Sequence, residues 1–124
     1  MYEVTIKKYF SAAHVLKEIG GKCESLHGHN FLVEVTVAGD ALNGEDLLID
    51  FRDLKKWIKE ILEHLDHKYL NEVEAFRDIN PSSERVAKFI YDLLTEKIKS
   101  LNLSLMVSGV TVWESDNARV TYTA

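Results

Sequence analysis

Residues 30–39, NFLVEVTVAG, alternate strictly: Phe31, Val33, Val35 and Val37 share one parity, and Asn30, Leu32, Glu34 and Thr36 share the other. A period of two sends successive side chains to opposite faces of an extended chain, so the segment is a strand with one apolar face to bury. A lone strand cannot bury it. It needs partners on either side and a second layer over the apolar face.

The rest of the chain supplies both. Residues 2–10, YEVTIKKYF, put Tyr2, Val4, Ile6 and Phe10 on one parity, although Lys8 interrupts it and Tyr9 lies on the other; this is a second strand, and SAAHVLKEIGGKCESLHGH after it reads as a long loop. In LSLMVSGVTVWE the apolar parity runs Leu103, Leu105, Val107 and then Val110, Val112, which a bulge at Ser108-Gly109 reconciles. After a turn at Ser115-Asp116-Asn117, RVTYT closes the set. Between these strands, Asn43-Gly44 marks a turn before Leu47, Leu48 and Ile49. Asp50 then caps a helix with the stripe Phe51, Leu54, Trp57, Ile58, Ile61, Leu62, Leu65. A second helix starts near Asn80 and Pro81, with proline in the first helical position. Its stripe is Val86, Ile90, Leu93, Leu94, Ile98, and it ends before Asn102. The order predicts an α+β fold in one domain, 1–124: a four-stranded antiparallel sheet with two helices packed on one face. Four strands leave two open edges, and joining sheets across subunits would cover them, so an oligomer is expected.

Composition narrows the function. The net charge is −5, and the cations are scattered, so the basic footprint of a nucleic-acid binder is missing. No apolar run approaches the roughly 20 residues a membrane helix requires. A cytoplasmic location is the expectation. Cys23 is the single cysteine and has no intrachain disulfide partner.

The chemistry is concentrated in the histidines. His27 and His29 leave the same side of an extended chain, Gly28 between them lets the backbone bend or pack closely, and His14 supplies a third nitrogen if the strands are neighbours. Three imidazoles and an open fourth position describe a catalytic zinc site rather than a closed structural one. Copper and iron also take imidazole, but neither a redox cluster nor a pairing of two histidines with a carboxylate is evident. Cys23, in the polar surroundings of Lys22, Glu24 and Ser25, is a fourth ligand, a buried filler, or a nucleophile or base. Asp66-His67 is either a helix-end polar pair or a proton shuttle with its orienting carboxylate; His64 reads as an exposed helical residue. Glu114, ending VTVWE, either meets solvent or takes two hydrogen bonds from a guanidine-like edge.

Together, FSAAH (10–14), CESLHGHNFLVEV (23–35), LLIDFRDLKK (47–56), LDHKYLN (65–71), NPSSERVA (80–87) and VTVWES (110–115) resemble the 6-pyruvoyl tetrahydropterin synthase family, including its 6-carboxy-tetrahydropterin synthase relatives. The resemblance implies the tunnelling fold (T-fold), with trimers stacked as hexamers and active sites between subunits. It implies His14, His27 and His29 as ligands of Zn2+, Cys23, Asp66 and His67 as the catalytic triad, and Glu114 as the carboxylate that anchors the pterin. The three residues between Cys23 and His-Gly-His resemble the carboxy branch of queuosine biosynthesis. That branch is a lyase converting 7,8-dihydroneopterin triphosphate to 6-carboxy-5,6,7,8-tetrahydropterin, with loss of triphosphate and acetaldehyde. The alternatives are the pyruvoyl product, an aldolase-like activity suggested by Glu24, or a non-catalytic zinc module closed by Cys23. Lys17, Lys22, Arg52 and Lys68 are candidates for the triphosphate.

Overall fold

The computed structural model describes residues 1–18 and 25–124. Strand β1 (Tyr2–His14) pairs antiparallel with β2 (His27–Gly39), and helix α1 (Phe51–Leu62) follows. A two-residue strand β3 (Lys68–Tyr69) and two short 3-10 turns lead to helix α2 (Ser83–Ser100), then β4 (Met106–Ser115) and β5 (Ala118–Tyr122). The sheet order is β3-β1-β2-β4-β5. The expected four antiparallel strands are therefore joined by a fifth, β3, which runs parallel to β1 at Ala12 and Ala13; two residues are too few to show a period.

The alternation in β2 is realised as read: Phe31, Val33, Val35 and Val37 are fully buried, and the two helices cover them with Leu54, Ile58, Val86, Ile90 and Leu94. Leu54 is among the fully buried side chains. Leu54→Ala should cost about 2–5 kcal/mol, the range for a large-to-small change in a packed core, read as a lower midpoint in urea. The bulge also falls where parity required it. Thr36 pairs with Gly109 and Val37 with Val107, leaving Ser108 as the extra residue.

Four local readings need correction. Residues 11–14 and 27–29 are strand rather than loop, because the even parity of β1 continues through Phe10, Ala12 and His14, all buried. Gly28 is regular strand with room for a Cβ, whose nearest neighbour would be the Ala12 carbonyl at 3.6 Å, so no bend or close approach requires glycine there. Pro81 precedes α2 instead of opening it: the Ser82 hydroxyl accepts from the Arg85 amide at 3.2 Å, which makes Ser82 the cap. At α1, Asp50 caps as expected, with its oxygen 2.8 Å from the Arg52 amide. Phe51 is exposed at the first helical position, and α1 ends at Leu62, so His64 is exposed beyond the helix. Hydrogen bonds from Arg52 hold the Asp50 carboxyl down at about 2, so the cap accepts as a carboxylate at neutral pH.

Among the described residues no helix is long and apolar enough to cross a membrane.

Candidate metal centre

His14 and His27 are direct cross-strand partners at the last pair of the β1–β2 ladder. Strand periodicity then puts His29 on the same face as His27, one layer above Phe31. The three rings stand edge to face, with centroids 4.4, 5.4 and 4.8 Å apart. From β4, Glu114 joins them by continuing the core-facing parity of Val110 and Val112. Trp113 pairs with Arg119 and Ser115 with Ala118, so Glu114 is also the extra residue of a second bulge, a feature that re-aims a side chain. One donor atom from each of His14, His27, His29 and Glu114 lies within 4.8 Å of the others.

The hydrogen bonds around the cluster leave it rich in lone pairs. Nδ1 of His14 is 2.8 Å from the Pro81 carbonyl oxygen, and Nδ1 of His27 is 2.7 Å from that of Ser25. A carbonyl only accepts, so both rings carry a proton on Nδ1 and turn Nε2 inward, where that of His14 meets the Glu114 carboxylate at 3.1 Å. Glu114 Oε1 faces those nitrogens at 3.1 Å from His14, 3.8 Å from His27 and 2.9 Å from His29. The His29 Nε2 is buried without a hydrogen bond of acceptable geometry. Burial, reinforced by His14 and His27 against the opposing pull of Glu114, holds the His29 pKa below its ordinary value and favours the neutral, ligating form. Three inward imidazole nitrogens and a carboxylate around one point could hold a metal ion. Nitrogen and oxygen donors of this kind suit zinc.

The Asp66-His67 pair lies at the β1 edge. Ser11 donates its amide to Asp66 Oδ1 at 2.9 Å and accepts from the His67 amide at 2.6 Å. His67 takes a left-handed backbone, φ 59°, and its Nδ1 reaches Asp66 Oδ2 at 3.1 Å. The Ser11 hydrogen bond, with a smaller contribution from His67, lowers the Asp66 pKa, keeping it ionised and able to orient the imidazole. His67 does not touch the three-histidine cluster, but it lines the same open depression, of about 560 Å3, as His29, Gly28, Asn30 and Tyr69.

Cys23, with Lys22 and Glu24, lies outside the described residues. Of the other candidate cations, Lys68 flanks His67 in β3, and Lys17 is exposed three residues past His14. Arg52 follows Leu48, which packs near Gly39 at the opposite end of β2, and its guanidinium is held by Asp50 at 2.7 Å.

One polar group escaped the sequence reading. Ser83, in the first turn of α2, is 7% exposed, and its hydroxyl has no hydrogen-bond partner among the described residues. It lines a cavity of about 120 Å3 together with Glu114, Arg119 and Leu16. Only its place at a helix start marks it in the sequence.

Residues 3–124 match the family described as 6-pyruvoyl tetrahydropterin synthase. The chain belongs to that family. Within it, the chain is 33% identical over 126 residues to the 6-carboxy-5,6,7,8-tetrahydropterin synthase of Bacillus subtilis, covering 98% of this chain and 84% of the relative. It is 38% identical over 119 residues to the 6-pyruvoyl tetrahydrobiopterin synthase of Homo sapiens, covering 93% and 79%. The solved 6-pyruvoyl tetrahydropterin synthase of Caenorhabditis elegans superposes with a TM-score of 0.83 at 28% identity, covering 100% of this chain and 97% of that one. The fold is thus that of the pterin synthases, and the family is one of enzymes.

Proposed function

We propose that the chain, as one pterin-synthase domain spanning 1–124, is a zinc-dependent, cytoplasmic 6-carboxy-5,6,7,8-tetrahydropterin synthase. It would act on 7,8-dihydroneopterin triphosphate and water, releasing triphosphate and acetaldehyde, in queuosine biosynthesis. The observation that carries the chemistry is the convergence of three imidazole nitrogens, two of their rings anchored through Nδ1 on backbone carbonyls, with Glu114, which lines a cavity that also holds Ser83. The spacing from Cys23 to His27 and the similarity to the Bacillus subtilis enzyme over 98% of the chain support the carboxy branch. The pyruvoyl product is the second reading, favoured by 38% identity to the Homo sapiens enzyme.

His14, His27 and His29 would hold the ion. Bound there, zinc supplies a positive charge that draws electron density from the substrate's side-chain oxygens. Glu114 receives the 2-amino and N3 hydrogens of the pterin as a charge-assisted pair of hydrogen bonds, and the unpartnered Ser83 hydroxyl is placed to complete that recognition. Cys23, as thiolate, removes a side-chain proton. His67, oriented by Asp66, exchanges a proton from the depression it shares with His29. Lys17, Lys22 and Lys68 would face the triphosphate.

A hexamer of two stacked trimers accounts for surfaces the single chain leaves open. β3 covers β1 only at Ala12 and Ala13, and β5 is the other edge. Tyr9, on the face away from the helices, is 71% exposed. Mass spectrometry of the zinc-loaded protein incubated with 7,8-dihydroneopterin triphosphate should show 6-carboxy-5,6,7,8-tetrahydropterin and acetaldehyde. The pyruvoyl compound alone would transfer the chain to the second reading, and intact triphosphate would remove the synthase reading.

A further inference from the structure

His14 is the last residue of β1 to have a strand partner. It pairs with His27, and β3 reaches only Ala12 and Ala13. From Val15 onward the backbone has lost its ladder, yet its peptide groups still need partners. Two asparagines supply them. Asn71 accepts from the Val15 amide at 2.8 Å and donates to the Val15 carbonyl at 2.9 Å. Asn80 repeats the arrangement two residues on, accepting from Lys17 N at 2.8 Å and donating to Lys17 O at 2.9 Å. A primary amide carries a donor and an acceptor side by side, as a peptide group on a neighbouring strand would. Each side chain therefore imitates one residue of a missing strand.

Between these clamps in function, and next to one in sequence, is Pro81, whose carbonyl oxygen receives the Nδ1 proton of His14. Segment 71–81 thus grips segment 14–17 at three places: His14 through Pro81, Val15 through Asn71 and Lys17 through Asn80. Because Asn80 and Pro81 are consecutive, the register of the Asn80 clamp sets where the Pro81 carbonyl sits. That carbonyl in turn anchors Nδ1 of His14 and leaves Nε2 as the nitrogen aimed into the cluster.

We infer that Asn80, backed by Asn71, is a positioning residue for the metal centre: it straps the 71–81 segment onto β1's extension so that the His14 ring is held by Nδ1 with Nε2 aimed into the cluster. The inference rests on the three-histidine metal reading and adds residues to it. Partners of this kind, which orient a ligand without touching the ion, typically govern metal affinity by 10–100-fold.

Asn80→Asp is nearly isosteric. It keeps the acceptor for the Lys17 amide but sets a second oxygen against the Lys17 carbonyl. Zinc affinity is measured by competition with a chromogenic chelator, using Zn2+ alone, and the site geometry by the visible absorption of the Co2+-loaded protein. Asn80→Asp should bind zinc about 10–100-fold more weakly and give an altered cobalt spectrum. Leu54→Ala, destabilised in the core, should keep the parental affinity and spectrum while folded. Parental affinity and spectrum in folded Asn80→Asp overturn the inference. A parent that binds neither ion overturns the metal reading itself, so the two failures are distinct. The unmodified, metal-free protein provides a check that needs no variant. A long-range 1H–15N spectrum should show His14 Nδ1 protonated and shielded from exchange, and a bare Nδ1 overturns the strap.

Discussion

Replacing Cys23 with alanine is expected to cut turnover of 7,8-dihydroneopterin triphosphate by about 10²–10⁴-fold, the span of a positioned general base, while zinc content and unfolding midpoint stay parental. The expectation follows from a division of labour. Among the described residues, the donors that converge on one point come from β1, β2 and β4: His14, His27, His29 and Glu114. In the proposed reading the thiol serves proton transfer rather than ligation, and the charge of a bound zinc ion would stabilise its thiolate. Cys23→Ser separates base strength from shape, since a hydroxyl of similar size is a far weaker acid, and it should be nearly as impaired as alanine. Zinc per chain, counted by atomic absorption, distinguishes the roles. Loss of metal in Cys23→Ala assigns the cysteine to a closed four-ligand site, and unchanged turnover with metal retained takes it out of the chemistry.

Much of the fold was legible because its main signals are periodic. Phe31, Val33, Val35 and Val37 can be sorted to one face without any knowledge of their neighbours, and the change of parity across Gly109 locates the bulge at Ser108 for the same reason. The helical stripes work similarly for Leu54, Ile58 and Ile61, but less well at their ends. Phe51 shares the spacing of the core residues and is exposed at the first helical position. β3 and the asparagine clamps have no period. Their partners are 55 or more residues away in sequence, and single-chain reading has no access to such pairings.

The site shows the same division. His27 and His29 are separated by one residue, so their shared direction is a consequence of strand geometry alone. Placing His14 beside them required knowing that β1 runs on to residue 14 and pairs there with His27. Its parity, shared with Phe10 and Ala12, already suggested as much, but a polar residue at the end of an apolar series looks like the start of a loop. The unpartnered Ser83 hydroxyl gives no sequence signal, since its significance is the absence of a partner in a buried place.

Glu114 is where the two readings of the site diverge, and Glu114→Gln separates them with the second large expected effect. Its Oε1 lies 2.9 Å from His29 Nε2 and 3.1 Å from His14 Nε2, close enough to serve as a fourth metal ligand. The same carboxylate lines the cavity that Ser83 also lines. A ligand and a substrate anchor make opposite demands. As a ligand, Glu114 would close the site and leave no position for substrate. As an anchor, it must leave the ion open and offer both oxygens to the pterin edge. Hydrogen bonds to a charged group contribute about 1.5–3 kcal/mol each. Weakening two of them should therefore lower kcat/KM by roughly 10²–10⁴-fold, at about tenfold per 1.4 kcal/mol. Zinc affinity should stay within a few-fold of the parent, because three imidazoles remain. Chelator competition and steady-state kinetics on the one variant give both numbers. A collapse in zinc affinity would instead make Glu114 a metal ligand, and the centre a closed one.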